Sequence, residues 1–239
     1  MSEPYFIWNG LNSMEMGLLV TDFPAICRAK ERVTTVTVPG RSGNLTITDG
    51  TDVYESYLRT LKAVTMPGAN IHDICAWLRG SSTVIFGNEA DYAYTARITN
   101  QVSFDKLYNG GYYELSIPFY CQPLKQTVQK ESDITITASG TTISNPGDVA
   151  SRPIITLMAS DTDTIVLTVG SSAVTIIGLK SGESIILDWD MMDARLSDGV
   201  TNANSYVTGN AQTIPTGDSF VSWTGSVSKV VISPNWRYL

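Results

Sequence analysis

Only one stretch of this 239-residue chain, residues 70–80, carries a clear helical period with both a cap and a stop. Asn70 is placed to cap it and Asp73 lies in its first turn. Ile71, Ile74, Cys75 and Leu78 fall on one face, and Gly80 follows as the C-terminal stop. Every other patterned segment is patterned for strands: β-branched runs broken by Gly, Asn, Asp and Ser. The fold class is therefore mainly β, with one short helix.

In the first half, residues 5–9 (YFIWN) form a strand that ends in the Asn9-Gly10 turn. Residues 32–47 (RVTTVTVPGRSGNLTI) read as strand, turn and returning strand, with Pro39, Gly40, Arg41, Ser42 and Gly43 in the turn. Both faces of this hairpin are rich in Thr and Val, and neither is clearly polar. Such a hairpin suits an arm that packs on another subunit better than a solvated one. Residues 54–64 fit a helical spacing and leave a period of two unsettled. A strand is expected there because Met66-Pro67-Gly68 breaks the chain just before the helix. Strands are also predicted at 83–86, 92–98 and 102–108, with Asn109-Gly110-Gly111 as a hairpin turn. After that turn Tyr113, Leu115, Ile117 and Phe119 share one face, while Tyr112, Glu114 and Ser116 share the other. Pro118 marks an edge or late-strand position.

Residues 122–130 (QPLKQTVQK) turn polar and form the expected domain boundary, dividing the chain into 1–125 and 126–239. Beyond it, strands at 134–137, 154–158, 164–169, 174–177, 185–189 and 227–232 follow one another without a useful helical period. That pattern predicts an all-β sandwich.

Charge narrows the partners. Sixteen Lys and Arg against 23 Asp and Glu give −7, with no basic cluster to release counterions from nucleic acid or to bind an anionic membrane. No apolar run reaches the roughly 18 residues of a membrane span, so no membrane insertion is expected. The opening MSEPYFIWNG has Glu3 and no basic segment, and reads as no signal peptide.

The candidate chemistry is sparse. Cys27, Cys75 and Cys121 are widely spaced and read as buried reduced thiols, and the single histidine, His72, reads as an exposed residue in the helix's first turn. Asp188, Asp190 and Asp193 could suggest a glycosidase pair or a calcium site, but no calcium-loop pattern surrounds them, and they read as solvated loop acids. No phosphate-binding glycine motif occurs. The sequence thus assigns no catalytic residue, metal site or cofactor. Trp189, Trp223 and Trp236 could stack on sugar rings. Trp189 and Trp223 read as core residues, which leaves Trp236 with Arg237 as the candidate sugar or partner contact.

An ordered series of motifs resembles the distal tail proteins (Dit) of long-tailed, non-contractile bacteriophages and prophages. It comprises Asn9-Gly10, Gly17-Leu18-Leu19-Val20, the run from Val36 to Gly43, Ile71 to Leu78, Thr83 to Phe86, and Tyr94 to Ile98. In the second half it continues with Asn145-Pro146-Gly147, Arg152-Pro153-Ile154-Ile155, Leu187-Asp188, Phe220 to Val227, and Pro234 to Arg237. The resemblance spans nearly the whole chain.

It implies a non-enzymatic structural protein of the virion tail: a hexameric ring joining the distal end of the tail tube to the tail tip or baseplate. The first domain would be a split-barrel-like α+β unit with a long hairpin arm that builds the ring. The second would be a galectin-like β-sandwich facing outward. Expected partners are further copies of the chain, the tail tube protein, a tail-tip protein and a receptor-binding protein. The arm residues Val36, Val38, Pro39, Gly40, Arg41 and Gly43 would meet the neighbouring subunit, since adding a strand to a neighbour's sheet edge is an economical way to close a ring. Without the resemblance, the same residues make an ordinary intramolecular hairpin. Some relatives carry a carbohydrate-binding insertion, for which this chain is too short. The rival from another class is a carbohydrate-binding module that contacts the host surface through the second half.

Overall fold

The computed structural model describes residues 4–107, 111–162 and 164–239, and these fall into two compact units, Met1–Gln129 and Lys130–Tyr238. The strands of the first unit are β1 (Phe6–Trp8), β2 (Leu11–Asn12), β3 (Leu18–Asp22), β4 (Val33–Thr37), β5 (Asn44–Thr48) and β6 (Tyr57–Thr65). Helix α1 (Ile71–Trp77) follows, then β7 (Gly80–Phe86), β8 (Tyr92–Ile98), β9 (Phe104–Lys106) and β10 (Tyr113–Thr127). Eight of these strands form one sheet in the order β2-β1-β7-β8-β10-β6-β3, with β9 pairing β10. The sheet curls until its ends meet, where Val20 donates to the Pro4 carbonyl at 2.9 Å and Leu18 to that of Ser13 at 2.9 Å. The result is a split barrel.

Aromatic residues fill it. Phe119 from β10 lies 5.7 Å from Phe6, 5.4 Å from Trp8 and 5.6 Å from Phe86 between ring centroids. Helix α1 is capped by the Asn70 side chain, which accepts from the His72 amide. Its inner face is Ile74, Trp77 and Leu78, spaced i, i+3 and i+4. Trp77 stacks on Phe6 at 5.5 Å and exchanges indole N–H to carbonyl hydrogen bonds with Trp8.

This corrects the expectation for the thiols: Cys27 and Cys75 are exposed, and Cys121 alone is buried. Cys75 follows Ile74 by one residue, about 100° around a helix, which turns it off the inner face. Burial pushes the Cys121 thiol up to about 12, so it stays protonated as a core residue.

Two further readings shift. The polar residues 122–127 continue β10, which resumes pairing with β8 after a bulge through Lys125↔Tyr94 and Thr127↔Tyr92. Pro118 lies inside the sheet, opposite Thr60 of β6, but between the stretch of β10 that pairs with β9 and the stretch that pairs with β8. A residue without an amide hydrogen is tolerated there because the ladder on that flank is interrupted. The turn residues Asn109 and Gly110, and Tyr108 before them, lie outside the described residues.

The second unit is a sandwich. Its strands are β11 (Ile134–Ile136), β12 (Thr141–Asn145), β13 (Ile154–Ala159), β14 (Ile165–Val169), β15 (Ser172–Ile176), β16 (Ser184–Asp188), β17 (Asp193–Leu196), β18 (Val207–Gly209), β19 (Gly217–Thr224) and β20 (Val227–Ser233). They form two five-stranded antiparallel sheets, β11-β20-β13-β16-β17 and β12-β19-β14-β15-β18. Ile155, Leu157 and Leu187 from one sheet and Leu167, Val174 and Val221 from the other join in a single core.

Candidate functional site

Strands β4 and β5 belong to neither large sheet. They pair only with each other, and nearly every residue along them is exposed. Val38, Pro39, Gly40 and Arg41 close the tip: the Arg41 amide donates to the Val38 carbonyl at 3.2 Å, and Gly40 takes φ +79°. Proline followed by a positive-φ glycine is the signature of a type II turn, so the sequence itself bends the arm.

Register gives the arm two unlike faces. Val36 lies opposite Leu45 and Thr34 opposite Ile47, so with Val38 these place four aliphatic side chains on one side. Thr35, Thr37, Asn44, Thr46 and Thr48 occupy the other, with Val33 at its root. A single strand shows Thr and Val on both faces, and only the pairing sorts them. The aliphatic four each remain between 37% and 49% exposed, which leaves an apolar surface open to solvent. Arg41 is the only charged residue from 33 to 48, and it has no ion-pair partner among the described residues.

The root of the arm is tied down. Arg32 donates to the Val53 carbonyl at 2.9 Å and Glu55 to that of Lys30 at 2.8 Å. Salt bridges Arg32–Asp49, Lys30–Glu55 and Arg28–Glu31 surround it. Farther in, the Pro24 and Ala25 carbonyls accept from Asn88 and Arg59.

Arg59 is buried, and its Nη2 donates to Glu89 Oε2 at 2.6 Å. Its guanidinium lies 4.5 Å and 4.7 Å from the ring centroids of Phe86 and Tyr94. The Tyr94 hydroxyl donates to Glu89 Oε1 at 2.9 Å, and Lys125 Nζ lies 3.5 Å from the same oxygen. Burial disfavours the Glu89 carboxylate, yet the Arg59 and Tyr94 hydrogen bonds and the two cations outweigh it and hold the carboxyl below its ordinary range. Every strong partner of Glu89 is already engaged inside the barrel, so this cluster works as a clasp.

A cleft of about 360 Å³ opens between the turn before β3 and the turn after β6. Met14, Met16, Met66 and Pro67 supply its apolar walls, and Glu15 and Asp73 its charge. The walls are locked together: Met66 donates to the Gly17 carbonyl at 2.7 Å. A Cβ on Gly17, at φ +73°, would sit 2.8 Å from Ala69 Cβ. Sequence reading marked Gly17, the Met66-Pro67-Gly68 break and Asp73 separately but not their meeting. Methionine in both turns was the available signal, since flexible thioethers line adaptable surfaces.

In the second unit the candidate contact pair separates. Trp236 is only 7% exposed and packs in the sandwich core, so it offers no indole face to a sugar. Arg237 pairs with Asp190 at 2.6 Å. Trp189 is buried and Trp223 packs partly against the same core. Asp188 accepts the amides of Asp190 and Met191 in a turn, and Asp193 is bound by Arg195 and Asn204. Among the described residues, no group of three or more His, Cys, Asp or Glu could hold a metal. No described helix is long and apolar enough to cross a membrane.

No family model matches the sequence, and no curated protein matches it. Solved structures do. The Dit protein of phage SPP1, a paradigm of the hub adsorption apparatus in phages that infect Gram-positive bacteria, superposes with a TM-score of 0.80 at 14% identity, covering 98% of this chain and 99% of its own. The chain has the Dit fold. A chain of the phage p2 baseplate, in its activated conformation with strontium, matches with a TM-score of 0.50 at 9% identity, over 95% of this chain and 97% of its own. The mainly β fold expected from the sequence is the one observed, and it is consistent with these structures.

Proposed function

We propose that this chain is a structural subunit of a phage tail, forming a ring that joins the distal end of the tail tube to the host-adsorption apparatus. The resemblance to the Dit family implies six copies. In this reading the barrel unit builds the ring and binds the last tube ring, while the sandwich docks tail-tip and receptor-binding proteins. The fold common to this chain and the SPP1 hub protein supports it over nearly the full length of both.

The observation that carries the reading is the arm. It is a hairpin with an uncovered aliphatic face, unpaired edges on both strands and a rigidly tied root. An isolated two-stranded ladder is marginal in water, and edge strands of this kind serve as templates for pairing with another chain. A neighbouring copy would cover the aliphatic residues and set the direction of a head-to-tail contact that closes on itself.

Mass photometry and negative-stain electron microscopy of the purified chain test this, the expected result being a ring with an open centre. A protein that stays monomeric at high concentration, and also fails to bind tail-tube subunits, would overturn it.

A further inference from the structure

We infer that the arm tip of one copy seats in the methionine-lined cleft of the next, with Arg41 between Glu15 and Asp73. This rests on the ring reading above and names the surface that receives the arm.

The two surfaces complement each other in polarity and charge. The tip presents Val38 and Pro39 beside a lone cation, and no hydrogen bond or ion pair described for residues 38–43 leaves the hairpin. The cleft presents Met14, Met16, Met66 and Pro67 beside two carboxylates. Neither Glu15 nor Asp73 has an ion-pair partner among the described residues, unlike Glu31, Asp49 and Glu55 at the root of the arm, which are paired within the chain. The recess beside Val128 is a poorer match: it carries one carboxylate, Asp91, and no methionine. Methionine walls adapt to an inserted aliphatic knob, and the Gly17–Met66 lock keeps the cleft shaped before anything enters it. A pre-formed receptor avoids an ordering cost on binding.

Exposed ion pairs contribute little by themselves, so the test uses charge reversal, which adds repulsion, together with a proximity readout. Assembly of the full chain is followed by mass photometry against concentration. Arg41→Glu and Asp73→Arg are each expected to raise the half-assembly concentration at least tenfold, and the double variant Arg41→Glu/Asp73→Arg to bring it back to within threefold of the parent. In a Cys27→Ser/Cys75→Ser background, Ser42→Cys with Met66→Cys is expected to form an intermolecular disulfide under mild oxidation.

If Arg41→Glu assembles like the parent, or the double variant is no better than either single one, the cleft is not the receptor. A ring that forms without the Ser42–Met66 cross-link overturns the inference in the same way. Replacing residues 35–46 by Asn-Gly separates the two claims. Loss of the ring on this deletion, with Arg41→Glu unaffected, leaves the arm as the ring-former and removes only the cleft. A parent chain that never self-associates removes both.

Discussion

Arg59 and Glu89 bring opposite charges into the barrel interior and pair at 2.6 Å through Nη2 alone, with Tyr94 and Lys125 completing the carboxylate's surroundings. Removing one partner of such a pair strands the other, so Glu89→Ala is expected to cost about 3–5 kcal/mol in chemical denaturation. The same geometry sets a pH dependence. Because the folded carboxyl titrates below its unfolded value, its stabilisation is complete above the unfolded pKa of about 4.3 and disappears as pH falls through the depressed folded value. Melting temperature measured against pH should therefore drop on the acid side, and Glu89→Gln should flatten that limb. This clasp also explains why residues 54–64 resisted a clean period in the sequence. On β6, Arg59 points inward with Leu61 and Ala63, while Leu58 points outward and is 52% exposed. An inward charge next to an outward leucine inverts the alternation at one step, and only knowledge of the partner carboxylate restores it.

Among the elements, the arm was the most legible. Pro39-Gly40 marks a turn wherever it stands, and the flanking β-branched residues leave no doubt about strand. What the sequence could not reveal was the sorting of its two faces, which depends on a register set by the turn. Elements that went unread share a different cause. Strands β12, β17 and β18 are short and lie at sheet edges, where polar residues are tolerated on both sides. Strand β19 alternates, but its buried Ser219 faces inward and Phe220 faces outward at 64% exposure, which reverses the expected polarity. The arm makes an element-scale prediction as well. None of residues 35–46 belongs to the barrel core, so replacing them by Asn-Gly should change barrel stability by less than about 0.5 kcal/mol while abolishing assembly. Denaturant titration alongside mass photometry separates these two effects.

At the scale of the whole molecule, each unit carries its own continuous core, one led by aromatic residues and the other by Ile, Leu and Val. The fold class was readable because it depends on patterning, which survives where identity does not: 14% identity accompanies a TM-score of 0.80. The shape of the methionine-lined cleft was hidden for the complementary reason. It joins residue 14 to residue 73 through a backbone hydrogen bond and a missing Cβ, and neither has a local signature.

The unequal sides of the hairpin carry a consequence for growth. In the proposed ring a neighbour would cover Val36, Val38, Leu45 and Ile47, leaving outward a row of threonine hydroxyls, already well hydrated and with little to gain from a second layer. One-sided adhesion of this kind would let subunits of the proposed ring add around a circle and would give them no reason to pile up. Thr35→Val with Thr46→Val would make both sides adhesive, and light scattering of that variant should report stacked or precipitating material where the parent stops at a finite size.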